Sequence, residues 1–233
     1  MMAQKSRRTL AVIAARGGSK GIPLKNLLDI CGQPLIAWTV MQAAAARGVD
    51  VVAVSSDSDD ILAAAETAGA VGVQRPDAIS GDLDSSESAW LHALDTLDGK
   101  LGPFERIVAL QATSPIREPC DIEQALETFE REKLDSLLSV CEVEDYFNWR
   151  IGANGPEAIN YDFRNRRMRQ QIEKRYLENG SFYVFIPSLL REQKNRLGGK
   201  IGFHLMERHK MFQIDRIEDV KLCAAIMQSY GYA

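Results

Sequence analysis

Paired cysteines are missing from this sequence. Its four, Cys31, Cys120, Cys141 and Cys223, lie far apart with no C-x-x-C spacing, which argues against a disulfide framework or a zinc site and fits the reducing cytoplasm. Long apolar runs are missing too, and none approaches the roughly 20 residues that span a bilayer. The run from Leu10 to Ala15 follows Lys5, Arg7 and Arg8, like a secretory leader, but it is shorter than the roughly 7–15 apolar residues of a leader's core. It reads instead as a first strand. Histidine is scarce: His92, His204 and His209 fall in unrelated contexts, and no Ser/His/Asp arrangement is legible. His92 reads as packing on an apolar helix, and His209, between Arg208 and Lys210, as an exposed turn. A strong charge bias is absent as well. The net charge of −4 over 233 residues implies no general affinity for nucleic acid. Neither G-x-G-x-x-G nor a Walker A order of Gly, Lys and Ser/Thr occurs, which points away from NAD enzymes and ATPases.

What is present is concentrated near the start. The apolar run enters Arg16, Gly17, Gly18, Ser19, Lys20 and Gly21, and Pro23, Lys25 and Asn26 follow. An apolar stretch bounded at once by glycines fits a buried strand ending in a loop. Glycines there allow a close approach of backbone to ligand, and consecutive N–H groups make a nest for an anion. Arg16, Lys20 and Lys25 add positive charge at the same place, so the stretch reads as a cradle for a polyphosphate.

Along the chain, residues 33–47 suit a helix with Pro34 in its first turn. A continuous apolar strand spans 51–55, then Asp57 or Ser58 caps a helix to Ala68, and residues 71–74 make a third strand. This alternation with short links implies a parallel sheet in an α/β layer fold, whose ligands sit outside the carboxyl ends of the strands. Residues 75–86 form a long polar segment at such an end. A helix over 87–97, a strand over 107–110, a helix over 121–132 and a strand over 136–140 continue the pattern. Residues 111–117, QATSPIR, put polar side chains at another strand end.

Residues 142–180 then break the rhythm, with Tyr146, Phe147, Trp149, Tyr161 and Phe163 beside a surplus of arginine. This insert suits a small subdomain, a lid or a dimer arm, since exposed aromatics favour an interface. Asn179 and Gly180 read as a turn before a strand over 181–186. Residues 187–191 begin a short helix, and 203–207 and 211–214 are strand-like. A last helix over 217–229 has its apolar face at Val220, Cys223, Ala224 and Met227. Asp215, at a strand end, is a candidate ligand for a divalent cation alongside phosphate oxygens; as a helix N-cap it would have a structural role instead.

Laid out this way, the chain resembles the acylneuraminate cytidylyltransferases, which activate nonulosonic sugar acids. ARGGSKGIPLKN (residues 15–26) resembles that family's CTP loop, and Arg75-Pro76 with residues 82–86 its second nucleotide segment. QATSPIR matches its QxTSPxR motif, while Arg169-Gln170-Gln171 and ENGSFY (178–183) match its sugar-side motifs. The resemblance implies a single three-layer, Rossmann-like nucleotidyltransferase domain with a mostly parallel central sheet and a small dimerisation insert at 142–180. It implies transfer of CMP from CTP to a nine-carbon sialic-type acid in a cytoplasmic homodimer using Mg²⁺ or Mn²⁺, with no nucleic-acid or membrane partner. It also implies roles: Arg16, Lys20 and Lys25 act on the triphosphate; Gly17, Gly18 and Ser19 line the loop; Asn26 contacts ribose and Arg75 cytosine. Ser85 and Ser86 flank the nucleotide, Gln111, Arg169, Asn179 and Tyr183 take the sugar, and Asp215 holds the metal.

Two departures stand out. Gln213 occupies the first position where the family often carries D-x-D, and no aromatic pair appears over 193–200. Legionaminic or pseudaminic acid is therefore an alternative substrate, and a non-catalytic nucleotide-binding module an alternative of another class.

Overall fold

The computed structural model describes residues 7–19, 21–144 and 147–232. Lys20, Tyr146 and the Arg169 side chain fall outside what it describes. β1 (Thr9–Ala14) is the strand expected from the first apolar run. A small hairpin of β2 (Asp29–Ile30) and β3 (Gln33–Pro34) leads into α1 (Leu35–Ala45). Then come β4 (Val51–Ser56), α2 (Asp59–Thr67), β5 (Val71–Gln74), α3 (Ser86–Leu101), β6 (Arg106–Leu110), α4 (Pro119–Glu132) and β7 (Ser136–Val143). The insert holds the hairpin β8 (Trp149–Gly152) and β9 (Gly155–Ala158). β10 (Arg175–Phe185), β11 (Ile201–Met206) and α5 (Ile217–Ser229) complete the order.

Seven strands form one sheet in the order β11-β7-β10-β6-β1-β4-β5. Every neighbouring pair is parallel except those of β10, which runs antiparallel to both β6 and β7. The sheet is thus mostly parallel and flanked by helices on both faces. Alternation within β1 shows the three layers directly. Ala11 and Ile13 pack with Ile36 and Val40 of α1, Ile61 of α2 and Phe129 of α4. Leu10 and Val12 pack with Trp90, Leu94 and Leu97 of α3 on the other face. Burial on both sides explains why these strands read as unbroken apolar runs. α5 lies outside the sheet, where Cys223 and Met227 cover Ile22, Ile30, Leu35 and Ile214.

Two local expectations fail. Asn179 and Gly180 are not a turn but a bulge inside β10: Glu178 pairs with Val140 and Tyr183 with Leu138, so three extra residues bow outward. Gly180 takes φ +64 there, a conformation cheap only for glycine. Residues 211–214 are not a strand. A 3₁₀ turn covers Arg208–Met211, and beyond it Ile214 N–H donates to Thr113 O at 2.8 Å, tying the segment to the loop after β6. The insert is also more ordered than its irregular text implies. β7 and β10 extend into it as a two-stranded stalk, with Arg175 opposite Val143, and β8–β9 stands beyond.

Candidate functional site: a basic cleft at the strand ends

The loop after β1 folds back on itself through its own glycines. Ala15 N–H makes the last ladder bond to Ser55 O at 3.0 Å, and Ser19 N–H donates to Gly17 O at 3.0 Å. A Cβ on Gly17 would stand 3.1 Å from Ser58 Cβ, and one on Gly21 only 2.7 Å from the Asp215 carbonyl oxygen. Gly18 faces open space. The buried Asn26 donates from Nδ2 to Arg16 O at 3.0 Å, so its side chain shapes the loop from behind. Lys25 Nζ donates to Ile214 O at 3.0 Å and pairs with Asp215 Oδ1 at 3.2 Å.

Two compartments open beside this loop, of about 270 and 250 Å³, sharing Ala14, Arg16 and Ser86. The first is walled by Ser19, Lys25, Asn26, Trp90 and Gln111. The second is walled by Arg75, Ser85 and the 79–84 turn. The structure thus gathers Arg16, Ser19, Lys25, Asn26, Arg75, Ser85, Ser86 and Gln111, all expected from the sequence, around one divided cleft. α3 points its N-terminus at it, with Ser85 Oγ accepting from Ser88 N–H at 3.2 Å. A helix start with basic neighbours is a ready place for an anion.

Electrostatics fix the arginines. Arg16 pairs with Asp82 at 3.0 Å and donates to Gly81 O. Arg75 is 6% exposed, and burial pulls its pKa below the ordinary guanidinium value against the pull of Asp57. Asp57 Oδ1 accepts from Gly17 N–H at 2.9 Å and from Arg75 Nη2 at 3.5 Å. One carboxylate therefore links the glycine loop to the buried arginine. The sequence offered Asp57 or Ser58 as a cap; the position of Asp57 just past the polar end of β4 was the available signal. Arg117 is buried, with its pKa lowered to about 10 by desolvation. It donates to Ser181 O at 2.7 Å and Gln42 Oε1 at 3.1 Å, so this member of QATSPIR is a strut beneath the cleft.

The expected sugar residues divide. Gln111 lines the cleft, and its backbone N–H donates to Ser181 O at 3.2 Å. Tyr183 lies buried with Trp90 in the core beneath. Its hydroxyl donates to Glu178 Oε1 at 2.5 Å, and burial, then Glu178, raises its pKa to about 12. The buried Asn179 accepts from Ser139 Oγ at 2.6 Å and donates to Lys210 O at 3.2 Å. Its side chain braces the bulge and lies away from the cleft lining. Gln213 Nε2 donates to Asn179 O. The larger cavity, about 520 Å³, is in the insert between Phe147, Tyr161, Arg166, Arg167, Gln170 and Arg175, and shares no residue with the cleft.

Asp215 is not the helix cap. Asp219, inside α5, accepts from Asp215 N–H at 2.9 Å and Arg216 N–H at 2.7 Å. That leaves the Asp215 carboxylate 70% exposed, with Lys25 on Oδ1. Among the described residues, no group of three or more His, Cys, Asp or Glu could hold a metal. His209 is not an exposed turn: its ring stacks on Tyr230 at 3.7 Å and meets the Tyr232 hydroxyl at 2.7 Å.

Known proteins resemble this chain in sequence and in fold. The chain is 34% identical over 235 residues to the N-acylneuraminate cytidylyltransferase of Oncorhynchus mykiss, covering 98% of this chain and 52% of that protein. The pseudaminic acid cytidylyltransferase of Campylobacter jejuni is 28% identical over 92% of this chain and 94% of its own length. The chain spans about half the length of the fish relatives it matches. Among solved structures, a CMP:2-keto-3-deoxy-manno-octonic acid synthetase complexed with CTP superposes with a TM-score of 0.72 at 16% identity, over 96% of this chain and 99% of that one. The 4-diphosphocytidyl-2C-methyl-D-erythritol synthase of Anaerococcus prevotii superposes at 0.66 and 13% identity, over 96% and 97%. These two likenesses concern the fold alone. Since the family described as Cytidylyltransferase matches residues 10–225, nearly the whole fold and every wall of the cleft, the chain belongs to the cytidylyltransferase family.

Proposed function

We propose that this chain transfers CMP from CTP to the anomeric hydroxyl of an acylneuraminate-type nine-carbon acid. The observation that carries the reading is the divided cleft, with Arg16, Lys25 and Arg75 around it and the start of α3 facing it. In the reaction the sugar oxygen bonds to the α-phosphorus, and the bond to the β-phosphate oxygen breaks with its electron pair. Pyrophosphate leaves, and the hydroxyl proton passes to solvent. Charge builds on phosphate oxygens, so positioned cations and N–H groups do most of the work.

On this reading Arg16, Lys25, Ser19 and the glycine loop hold the triphosphate, together with Lys20. Asn26 shapes the ribose side. Arg75, Ser85 and Ser86 form the base compartment, and Gln111 meets the incoming sugar. The exposed Asp215 fits a divalent cation with a single protein carboxylate, since Mg²⁺ accepts one or two carboxylates plus substrate oxygens. That cation adds positive charge against the triphosphate when bound. The basic insert, with Gln170 and Gln171 in its cavity, suits the sugar carboxylate, with Arg169 the expected partner. Exposed Trp149, Ile151, Ile159 and Phe163 support a homodimer built through the insert. Four free thiols support a cytoplasmic protein; no helix among the described residues is long and apolar enough to cross a membrane.

Likeness to a pseudaminic acid cytidylyltransferase over nearly its full length favours, as a second reading, the same reaction on pseudaminic or legionaminic acid. Pyrophosphate release from CTP, measured with N-acetylneuraminate, legionaminate and pseudaminate with and without Mg²⁺, decides between them. Turnover with none would leave a nucleotide-binding module and refute the enzymatic reading.

A further inference from the structure

The segment after β10 sets two arginines against α3. Arg191 contacts Asp95 and Asp98 at 2.9 and 2.6 Å. Arg196 lies nearer the start of the helix, where its Nε donates to Glu87 Oε1 at 2.7 Å; the two side chains are 21% and 14% exposed. The same guanidinium carbon stands 4.7 Å from the ring centres of both Trp90 and Tyr183. Trp90 and Ser86 line the cleft, and Tyr183 holds Glu178 through its hydroxyl. One side chain therefore touches α3 twice and β10 once, at the junction of the nucleotide compartment with the bulge.

Glu87 places a negative charge in the first turn of a helix whose N-terminus faces the cleft. Unpaired, that carboxylate would oppose a triphosphate. Arg196 cancels it and stacks on the two rings, a favourable contact for guanidinium. We infer that Arg196 is a positioning residue for both substrates. Through Glu87 and Trp90 it holds the nucleotide wall, and through Tyr183 it fixes that wall against the β10 bulge, whose Ser181 carbonyl seats Gln111. The inference rests on the reading that the cleft takes CTP.

Calorimetric titration of the full chain with CTP in Mg²⁺ buffer, followed by kinetics with N-acetylneuraminate as the probe acid, tests it. Arg196→Met, which breaks a mostly buried ion pair on one side, should weaken CTP about tenfold and raise KM for the acid. Arg191→Gln, which loosens α3 without touching the rings, should bind CTP within about twofold of wild type. Adding Glu87→Gln to Arg196→Met should restore most of the CTP affinity but not the KM for the acid. Arg196→Lys, which keeps the charge, should retain CTP affinity and serves where Arg196→Met does not fold. Equal effects of Arg191→Gln and Arg196→Met, or a double variant weaker than Arg196→Met, would overturn the inference. Wild-type protein that takes up no CTP would overturn the reading of the cleft beneath it as well.

Discussion

Replacing Asp57 separates two jobs that one oxygen performs. Oδ1 receives the Gly17 N–H and faces the Arg75 guanidinium. Asp57→Ala removes both interactions. The lost N–H bond costs about 1–2 kcal/mol when its donor stays part-buried. The second loss leaves Arg75 without its partner. A fully buried charge stripped this way costs about 3–5 kcal/mol, but Asp57 is 24% exposed and the pair is 3.5 Å apart, so water recovers much of it and about 1 kcal/mol remains. The total is about 2–3 kcal/mol, or a fall in Tm of roughly 5–10 °C for a chain of this size. Asp57→Asn keeps an oxygen for Gly17 and should lose only about 1 kcal/mol. Urea unfolding of the three proteins reads these differences directly, and CTP titration should rank them in the same order. If Asp57→Ala unfolds within 0.5 kcal/mol of wild type, or the two variants are equal, the carboxylate does not bridge loop and arginine, and the account of the cleft's rigidity falls.

Gly21→Ala would put a methyl 2.7 Å from a backbone oxygen, forcing the loop outward by roughly half an ångström; kcat/KM for CTP should fall by up to about a hundredfold with the circular dichroism unchanged, and wild-type kinetics would disprove the close approach. Asp215→Asn should shift the Mg²⁺ titration to higher concentration, and an unchanged curve would limit Asp215 to pairing with Lys25. Lys210 is buried among Glu118, Asp121 and Glu207 at 2.7–2.9 Å, so Lys210→Met should cost at least about 3 kcal/mol in denaturant unfolding. Burial works against the Asp121 charge, yet the His204 ring 3.8 Å away, the Glu118 N–H bond and the Lys210 ammonium outweigh it and hold its pKa below the usual carboxylate value. A lowered pKa stabilises the fold above the unfolded value and loses that contribution as pH falls through the folded one, so wild type should weaken below about pH 4 and Asp121→Asn should show a flatter acid limb.

Much of this was legible because local and global signals agreed. The first strand and its loop stand out since burial on both faces demands an unbroken apolar run and the backbone's close packing demands glycine at its end. The span of α5 follows from its apolar spacing and its acidic first turn. Elsewhere the deciding partner is remote in sequence. Asn-Gly within ENGSFY carries turn chemistry, and only pairing with Val140 and Leu138 converts it into a bulge. Asp215 sits where a cap belongs, but Asp219 reaches back and takes that role. Asp57 and Arg196 act through groups 40 and 109 positions away, Gly17 and Glu87, which no window along the chain can show.

β10 runs against the grain of the sheet, between β6 and β7. On a ribosome, the four strands β1, β4, β5 and β6 emerge early and can pair among themselves. β7 follows with both edges bare, because its neighbours are β10 and β11. Until residues 175–185 leave the exit tunnel, the nascent protein carries an unfinished half-sheet and an apolar strand open to wrong partners. The glycine loop already has Asp57 and Ser58 beside it by then, but Lys25 lacks its partners at Ile214 and Asp215, and Gln111 lacks the Ser181 carbonyl that seats it. Arrival of the reversed strand therefore joins β7 to the half-sheet and seats Gln111 in one event, while β11 covers β7's other edge only later.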